Sequence, residues 1–317
     1  MVVELSRGTI GFGTPACSAD ARPRVWLSLL IPAYEHPVGV RRILDCLYAA
    51  KAERIECLIN DDSRSDAVEV AVLNHPLDRA GGVTYRRNRP ALGAVANWND
   101  LLARARGEHL LLMHHDECPE RDDFFTQLQA ALVQASNPDV LLLDCLLPTL
   151  GGRRLRHHMP LWMRRTLLAW SPDHLLLHNT LGPTSVVVIR RSRSLFFNPA
   201  LKWLVDVDWM MRLLRLPGVS VNFARDLAVV SVPHATSITV NLRGEIPRLR
   251  FTEAQLIHEH LGASRVTRLM LPNNWIERTV SRVERVCWFL LRAVIRSTGW
   301  ITGRKIPSWL RGNLWFI

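Results

Sequence analysis

Apolar residues fall along this chain in two kinds of block, and the two kinds alternate. "VWLSLLIPAYE" (Val25–Glu35) is an unbroken apolar run closed by Pro32 and polar residues. Such a run suits a strand buried on both faces of a parallel sheet. "VGVRRILDCLYAA" follows with helical spacing, placing Val40, Ile43, Leu44 and Leu47 on one face. "IECLINDDSRSD" (Ile55–Asp66) predicts a second strand that runs into acidic residues, and "GVTYRRN" a third. "ALGAVANWNDLLARARG" reads as a helix ended by Gly107, and "EHLLLMHHDE" as the fourth strand. A helix near Phe124–Gln134 and the apolar run "DVLLLDCLL" come next. This alternation predicts an α/β domain with a mostly parallel central sheet flanked by helices. Residues 1–24 lack periodicity and read as a loose extension. Residues 25–245 form the expected main domain, and 246–317 a helical C-terminal region.

Three of the apolar runs end in polar residues, at Tyr34–Glu35, Asp61–Asp62 and His114–Glu117. Ligands of open α/β sheets bind outside the carboxyl ends of the strands, so these three exits together point to a site. His114, His115, Asp116 and Glu117 stand in a row and are all groups that titrate or bind metal. Along a regular strand adjacent residues face opposite ways, so all four are not expected to ligate one ion, and a zinc site is disfavoured.

Composition narrows the partner. The formal charge is +11 with a pI near 10.2, which calls for an anionic partner: nucleic acid, an acidic membrane surface or a phosphorylated substrate. Cys17, Cys46, Cys57, Cys118, Cys145 and Cys287 are scattered without a C-x-x-C pair, as in a protein kept reduced. No charged segment followed by an apolar one opens the chain, and no run reaches the roughly 18 apolar residues of a spanning helix. The expected location is cytoplasmic, peripheral on the cytosolic face of a membrane. Arg278, Arg282, Arg285, Arg292 and Arg296 share one helical face near the end of the chain, with Val283, Cys287, Leu290, Leu291 and Val294 on another. With Trp275, Trp288, Trp300, Trp309 and Trp315 nearby, the pattern is that of an amphipathic tail lying in an anionic membrane interface.

The order of the motifs resembles family 2 glycosyltransferases of the GT-A fold. "LLIPAYE" is similar to the family's first strand, and "INDDSRSD" to its second strand and acidic turn, with Ser63 where a Gly is usual. "NRPALGAVANWNDLLARARGEHLLLMHHDE" resembles the segment that leads to the family's DxD metal motif, and "VDVDWMMRL" its later Glu-Asp motif and helix. The likeness spans roughly residues 25–240. It implies an inverting transfer from a nucleotide-sugar donor to a hydroxyl of a glycan or lipid-linked acceptor of the bacterial cell surface. By the same resemblance, Pro32, Ala33, Tyr34 and Glu35 line the base and ribose pocket. Asp62 accepts a hydrogen bond from the base, while Gly93, Asn97 and His114 lie near the donor. Mg²⁺ or Mn²⁺ is implied, with Asp116 the first choice of ligand, then Glu117, and His234 placed like a family histidine near the metal. Two positions depart from the pattern: His114 stands at the first aspartate of DxD, and Val205 at the glutamate before Asp206. Asp206 is the expected general base. For Asp208, an ion pair with Arg212 one helical turn on is the simpler account. The basic stretch "GGRRLRHHMPLWMRRTLLAW" is a further candidate for holding an anionic acceptor. Two other classes use some of the same features: a basic nucleic-acid-binding protein, which leaves the strand-end carboxylates without a role, and a metal-dependent phosphohydrolase. No nucleic-acid-binding signature is present, and nucleic acid is not expected as a partner.

Overall fold

The computed structural model describes residues 25–51, 53–148, 154–156, 161–176, 178–232, 242 and 244–262. Strands β1 (Leu27–Ala33), β2 (Ile55–Asp61), β3 (Val83–Arg87) and β4 (His109–Leu112) form the first half of a nine-stranded sheet. They pair in the order β3-β2-β1-β4, all parallel. Leu27, Leu29, Leu30 and Ile31 are fully buried, as an unbroken apolar run requires when helices cover both faces. Helix α1 (Pro37–Ala50) buries Val40, Ile43, Leu44 and Leu47, the stripe expected from their spacing.

Beyond β4 the sheet becomes mixed. Its remaining strands are β5 (Glu117–Pro119), β6 (Val140–Pro148), β7 (Arg154–Arg156), β8 (Val187–Arg190) and β9 (Val221–Ser231). β8 runs antiparallel between β4 and β6, β9 lies parallel to β6, and β5 closes the order antiparallel to β9. The parallel expectation describes the half built from consecutive β-α units. In the other half, β8 and β5 run against their neighbours and β7 turns back antiparallel on β6.

The helix that carries Trp98, α4 (Ala94–Arg104), follows the short α2 (Ala67–Leu73) and α3 (Pro76–Arg79). It stops three residues before Gly107, which is therefore not its cap. A Cβ at Gly107 would stand 2.4 Å from the Ser28 nitrogen and 2.6 Å from the Leu27 carbonyl carbon. Gly107 is a close-approach residue against the central strand. Its N–H donates to Ser28 Oγ at 2.8 Å, and that hydroxyl donates to Glu56 at 2.6 Å.

Helices α5 (Phe124–Gln134), α6 (Leu161–Trp170) and α7 (Val205–Leu214) complete the layers around the sheet. Phe124, Phe125 and Leu128 of α5 are fully buried. α7 is buried nearly all round, including Asp208, which is held by Arg212 at 2.7 Å as its four-residue spacing suggests. Arg164 of α6, from the basic stretch considered for an acceptor, is buried and paired to Asp144 at 2.5 Å. A last helix, α8 (Ile246–Leu261), packs against the loop that leads into α7. No helix among the described residues is long and apolar enough to cross a membrane. The loose extension, His234 and the arginine-rich tail lie outside the described residues.

Candidate active site at the strand ends

The exits of β1 and β2 are tied to each other. Glu35 sits at φ +48°, and its carboxylate turns toward the β2 turn. It accepts from the N–H of Arg64 at 2.8 Å and of Ser65 at 3.2 Å, and from Ser65 Oγ at 2.5 Å. These bonds, the Ser65 hydroxyl first, hold the Glu35 acid below its ordinary pKa. Glu35 is thus a brace between two strand exits and does not line the pocket, unlike its neighbours Pro32, Ala33 and Tyr34. Asp61 accepts from Ser63 N–H and Tyr85 Oη–H, at 2.8 and 2.7 Å, and shapes the turn. Asp62 does line the pocket, but most of its capacity is used. It accepts from Asn88 Nδ2 at 2.8 Å, Leu92 N at 3.1 Å and Gly93 N at 2.9 Å, pinning the loop that starts α4. Gly93 caps that helix and Asn97 is 2% exposed; both line the same cavity.

The fourth exit departs from the regular strand. β4 ends at Leu112, and the chain turns over Met113–Asp116 before β5 begins at Glu117. Strict alternation therefore lapses, and the objection to shared ligation with it. His114, Asp116 and Glu117 each offer a ligand atom within 4.8 Å of the others. Glu117 is 4% exposed and accepts from the His114 N–H at 3.1 Å. Burial, and then the Asp116 carboxylate, push its pKa well up. A cation beside a buried acid of this kind favours its charged form. Burial pushes His114 down to about 4, so its ring is neutral at pH 7, the form that ligates. Its Nε2 is buried and makes no hydrogen bond. The ring lies 4.7 Å from that of Trp98. The turn's close packing on α1 explains Gly39, where a Cβ would come within 1.7 Å of the His115 carbonyl oxygen.

Asp206 sits in the first turn of α7. It accepts from Asn179 Nδ2 at 3.1 Å and from the Val207 N–H at 2.9 Å. Burial raises its pKa to about 6. Asn179 is itself held by the N–H groups of Leu181 and Gly182, both bonded to its Oδ1. The loop before α7 is fixed by Glu253 of α8, which is 3% exposed. Its two oxygens accept from the N–H groups of Lys202, Trp203 and Leu204, the shortest at 2.7 Å. Sequence reasoning missed both Asn179 and Glu253. Each is an isolated polar residue in a segment with no motif, so no local signal marks it.

The strand exits and the first turn of α7 open onto one pocket of about 770 Å³. Tyr34, Asp62 and Asn97 line it, as do His114, Asp116 and Glu117 at the β4 exit. Asp206, Lys202, Trp203, Ile246 and Arg250 complete the wall built by α7 and α8. The Asp206 carboxylate and a cluster that could hold a metal ion therefore share one cavity at the carboxyl ends of the strands, which is where this sheet type places ligands.

The profile of the family described as "Glycosyl transferase family 2" matches residues 28–192. Among curated proteins, an uncharacterized glycosyltransferase of Haemophilus influenzae is 24% identical over 201 residues, which are 61% of this chain and 63% of that protein. An uncharacterized protein of Mycobacterium tuberculosis is 24% identical over 312 residues, 90% of this chain and 82% of that one. For the first relatives matched, the chain spans only 60–63% of their length. Solved structures of the same fold include a mannosyltransferase from Pyrobaculum calidifontis in complex with GDP-Man and Mn²⁺, with a TM-score of 0.55 and 15% identity. That match covers 93% of this chain and 85% of that one. The S. aureus TarS 1–349 fragment in complex with UDP-GlcNAc gives a TM-score of 0.52 at 16% identity, covering 72% and 66%. With over half of its length matched by the profile, and a strand-end site in a sheet of this topology, the chain belongs to glycosyl transferase family 2 and carries a glycosyltransferase domain of the GT-A fold.

Proposed function

We propose that this protein is an inverting glycosyltransferase that moves a sugar from a nucleotide-sugar donor to a hydroxyl of a glycan or lipid-linked acceptor. The observation that carries the reading is Asp206: a carboxylate raised to about 6 by burial, oriented by Asn179, in the same pocket as the His114–Asp116–Glu117 cluster. A general base works best when its pKa lies near the operating pH, and this one does. Asp206 takes the proton of the acceptor hydroxyl as that oxygen bonds to the anomeric carbon. The bond from that carbon to the donor phosphate breaks on the opposite face, and the nucleoside diphosphate leaves with the electron pair. One base and one displacement invert the anomeric centre.

Pro32, Ala33 and Tyr34 flank the base and ribose, with Asp62 holding the Asn88–Gly93 loop as the pocket's edge. Asp116, Glu117 and neutral His114 fit a divalent cation such as Mn²⁺ or Mg²⁺, and His234 is a further candidate ligand. When bound, such an ion supplies positive charge against the departing diphosphate. Structural likeness to proteins holding UDP-GlcNAc and GDP-Man supports a nucleotide-sugar donor. Membership of the family favours this reading over a nucleic-acid-binding protein or a phosphohydrolase. The arginine-rich tail adds a peripheral membrane location, in line with a lipid-linked acceptor.

Donor profiling tests the proposal. Purified protein is offered a panel of nucleotide sugars with Mn²⁺, with Mg²⁺ and with EDTA, and release of nucleoside diphosphate is measured. One donor should be turned over in a metal-dependent way, and Asp206→Asn should slow transfer by roughly 10²–10⁴-fold. Release of inorganic phosphate from simple phosphate esters instead would favour the hydrolase.

A further inference from the structure

Helix α6 is inverted relative to an ordinary surface helix, which buries its apolar residues and shows its charges. Here Arg164 is buried against Asp144 at 2.5 Å, while Trp162 is 67% exposed and Trp170 64%. At about 3.6 residues per turn, Arg165, Ala169, Trp162, Thr166 and Trp170 fall side by side, and all five are exposed. Thr166 adds little polarity to this face, because its hydroxyl donates to the Trp162 carbonyl at 2.9 Å. The two tryptophans stand about 12 Å apart along the axis. Arg165 borders them, its guanidinium resting over the Phe223 ring at 5.4 Å, which holds it at the edge of the face. Along this part of the chain the charge has one sign. From Cys145 to Pro172 there are five arginines and no acidic residue.

We infer that this face of α6 docks on an anionic membrane interface, with Trp162 and Trp170 at the level of the headgroups and Arg165 on lipid phosphate. The inference goes beyond the glycosyltransferase reading and does not need it, and it concerns a surface separate from the arginine-rich tail. An indole is apolar apart from one N–H, so it is favoured where hydrocarbon and headgroups meet. A helix that shows such rings beside arginine lies in that plane. Charge selects this occupant over the others at hand. A second copy would set the same arginines against each other. Residues 275–317 hold eight Lys and Arg to two Glu, so packing of the chain's own tail here is disfavoured as well. An anionic surface complements the face. The docking helix is also part of one connected stretch with the pocket wall. α6 runs into the 3-10 turn Pro172–Leu176, whose Leu175 and Leu176 line the pocket. Asp173 of that turn pairs with Arg215, just after α7, at 2.5 Å. Asn179, which bonds to Asp206, follows directly along the chain.

Vesicle partitioning of the full chain tests this. The probes are vesicles of phosphatidylcholine alone and of phosphatidylcholine mixed with phosphatidylglycerol. Wild type should prefer the mixed vesicles. The Trp162→Ser/Trp170→Ser variant should bind them roughly tenfold or more weakly, since binding scales with the apolar area buried. That loss should persist in about 1 M NaCl, where a Debye length of roughly 3 Å screens the charges of the tail. Arg165→Gln should cost roughly fivefold on the mixed vesicles and nothing on the neutral ones, the effect of one cation near a leaflet. Circular dichroism of both variants should match wild type, because all three side chains are exposed. Lipids brominated in their acyl chains should quench the tryptophan fluorescence of wild type more than that of the double variant. Mixed-vesicle binding as tight as wild type by either variant overturns the inference. So does a wild-type dimer in sedimentation velocity that the double variant lacks, which would assign the face to a second copy. A lower melting temperature of the double variant without lipid, with partitioning unchanged, would assign the face to the chain's own tail and overturn it too.

Discussion

Asp206 combines two properties that a substitution can separate. As the proposed base it must be ionised, yet burial holds its pKa near 6 against an ordinary 3.8. Asp206→Asn keeps the shape and removes the proton acceptor. Turnover should fall by roughly 10²–10⁴-fold with donor affinity unchanged, as measured by steady-state kinetics and by titration of the donor. In wild type, kcat/KM should rise with pH through about 6 and then level off, since only the ionised form accepts the proton. Stability moves the other way. Between the unfolded value near 3.8 and the folded value near 6 the native state holds the extra proton, so stability drops as pH rises across that window. Asp206→Asn escapes this penalty, and should unfold at a higher temperature than wild type at pH 8 but not at pH 4. The gain is about 3 kcal/mol at most. Asp116→Ala tests the neighbouring cluster. The fold should persist by circular dichroism, because Asp116 sits in a partly exposed turn, while Mn²⁺-dependent nucleotide binding is lost in calorimetry. Full activity of that variant in EDTA would remove the metal from the reaction.

Elements meet at contacts that tolerate little change. Gly107 approaches β1 so closely that a methyl group would collide with the backbone of Leu27 and Ser28, where no side chain can swing aside. Gly107→Ala should destabilise the domain by roughly 1–3 kcal/mol, the range of overpacked cores, read as a shift of the urea midpoint. The same contact ties the Ser28 hydroxyl to Glu56, so the sheet's centre and the α4–β4 connection yield together. Glu253 plays the corresponding part between α8 and α7. Glu253→Ala strands the N–H groups of Lys202, Trp203 and Leu204 against the domain. It should lower the melting temperature, at roughly 1–3 kcal/mol for each N–H left buried and unpaired. Turnover should fall more than donor affinity, because the loop positions Asp206 and not the donor.

At the scale of the whole molecule, charge is the dominant property. The net charge is +11, and the arginines at 278, 282, 285, 292 and 296 concentrate part of it in one stretch. Each cation near an anionic leaflet contributes about 1 kcal/mol, screened by salt. We propose that this stretch holds the enzyme on the membrane. A chain ended at Asn274 keeps every described element, Glu253 and α8 included. It should stay folded and release nucleoside diphosphate slowly, while losing salt-sensitive co-sedimentation with anionic liposomes. Equal sedimentation of the two forms would place the tail on the domain and not on the membrane.

What the sequence alone determined are the features that depend on local pattern. Unbroken apolar runs identified β1, β2 and β4, since only a strand covered on both faces needs no polar side. Helical spacing identified the buried stripe of α1, and the polar strand exits marked the end of the sheet where the pocket lies. The Asp208–Arg212 pair was legible because its two partners are one helical turn apart. Tertiary structure decided whatever rests on distant partners. β8 and β9 carry no signal for their order or direction, which follows from pairing with β4 and β6 rather than from their own residues. Gly107 reads as a helix cap until β1 is seen beside it. Glu35 adjoins residues that line the pocket, yet the turn of β2 draws its carboxylate away. His114 joins Asp116 and Glu117 only because the chain leaves the strand at Leu112 and abandons the alternation that would separate them. Asn179 and Glu253 reach Asp206 and its loop across 27 and about 50 positions of chain, and such contacts exist only once the sheet has brought those segments together.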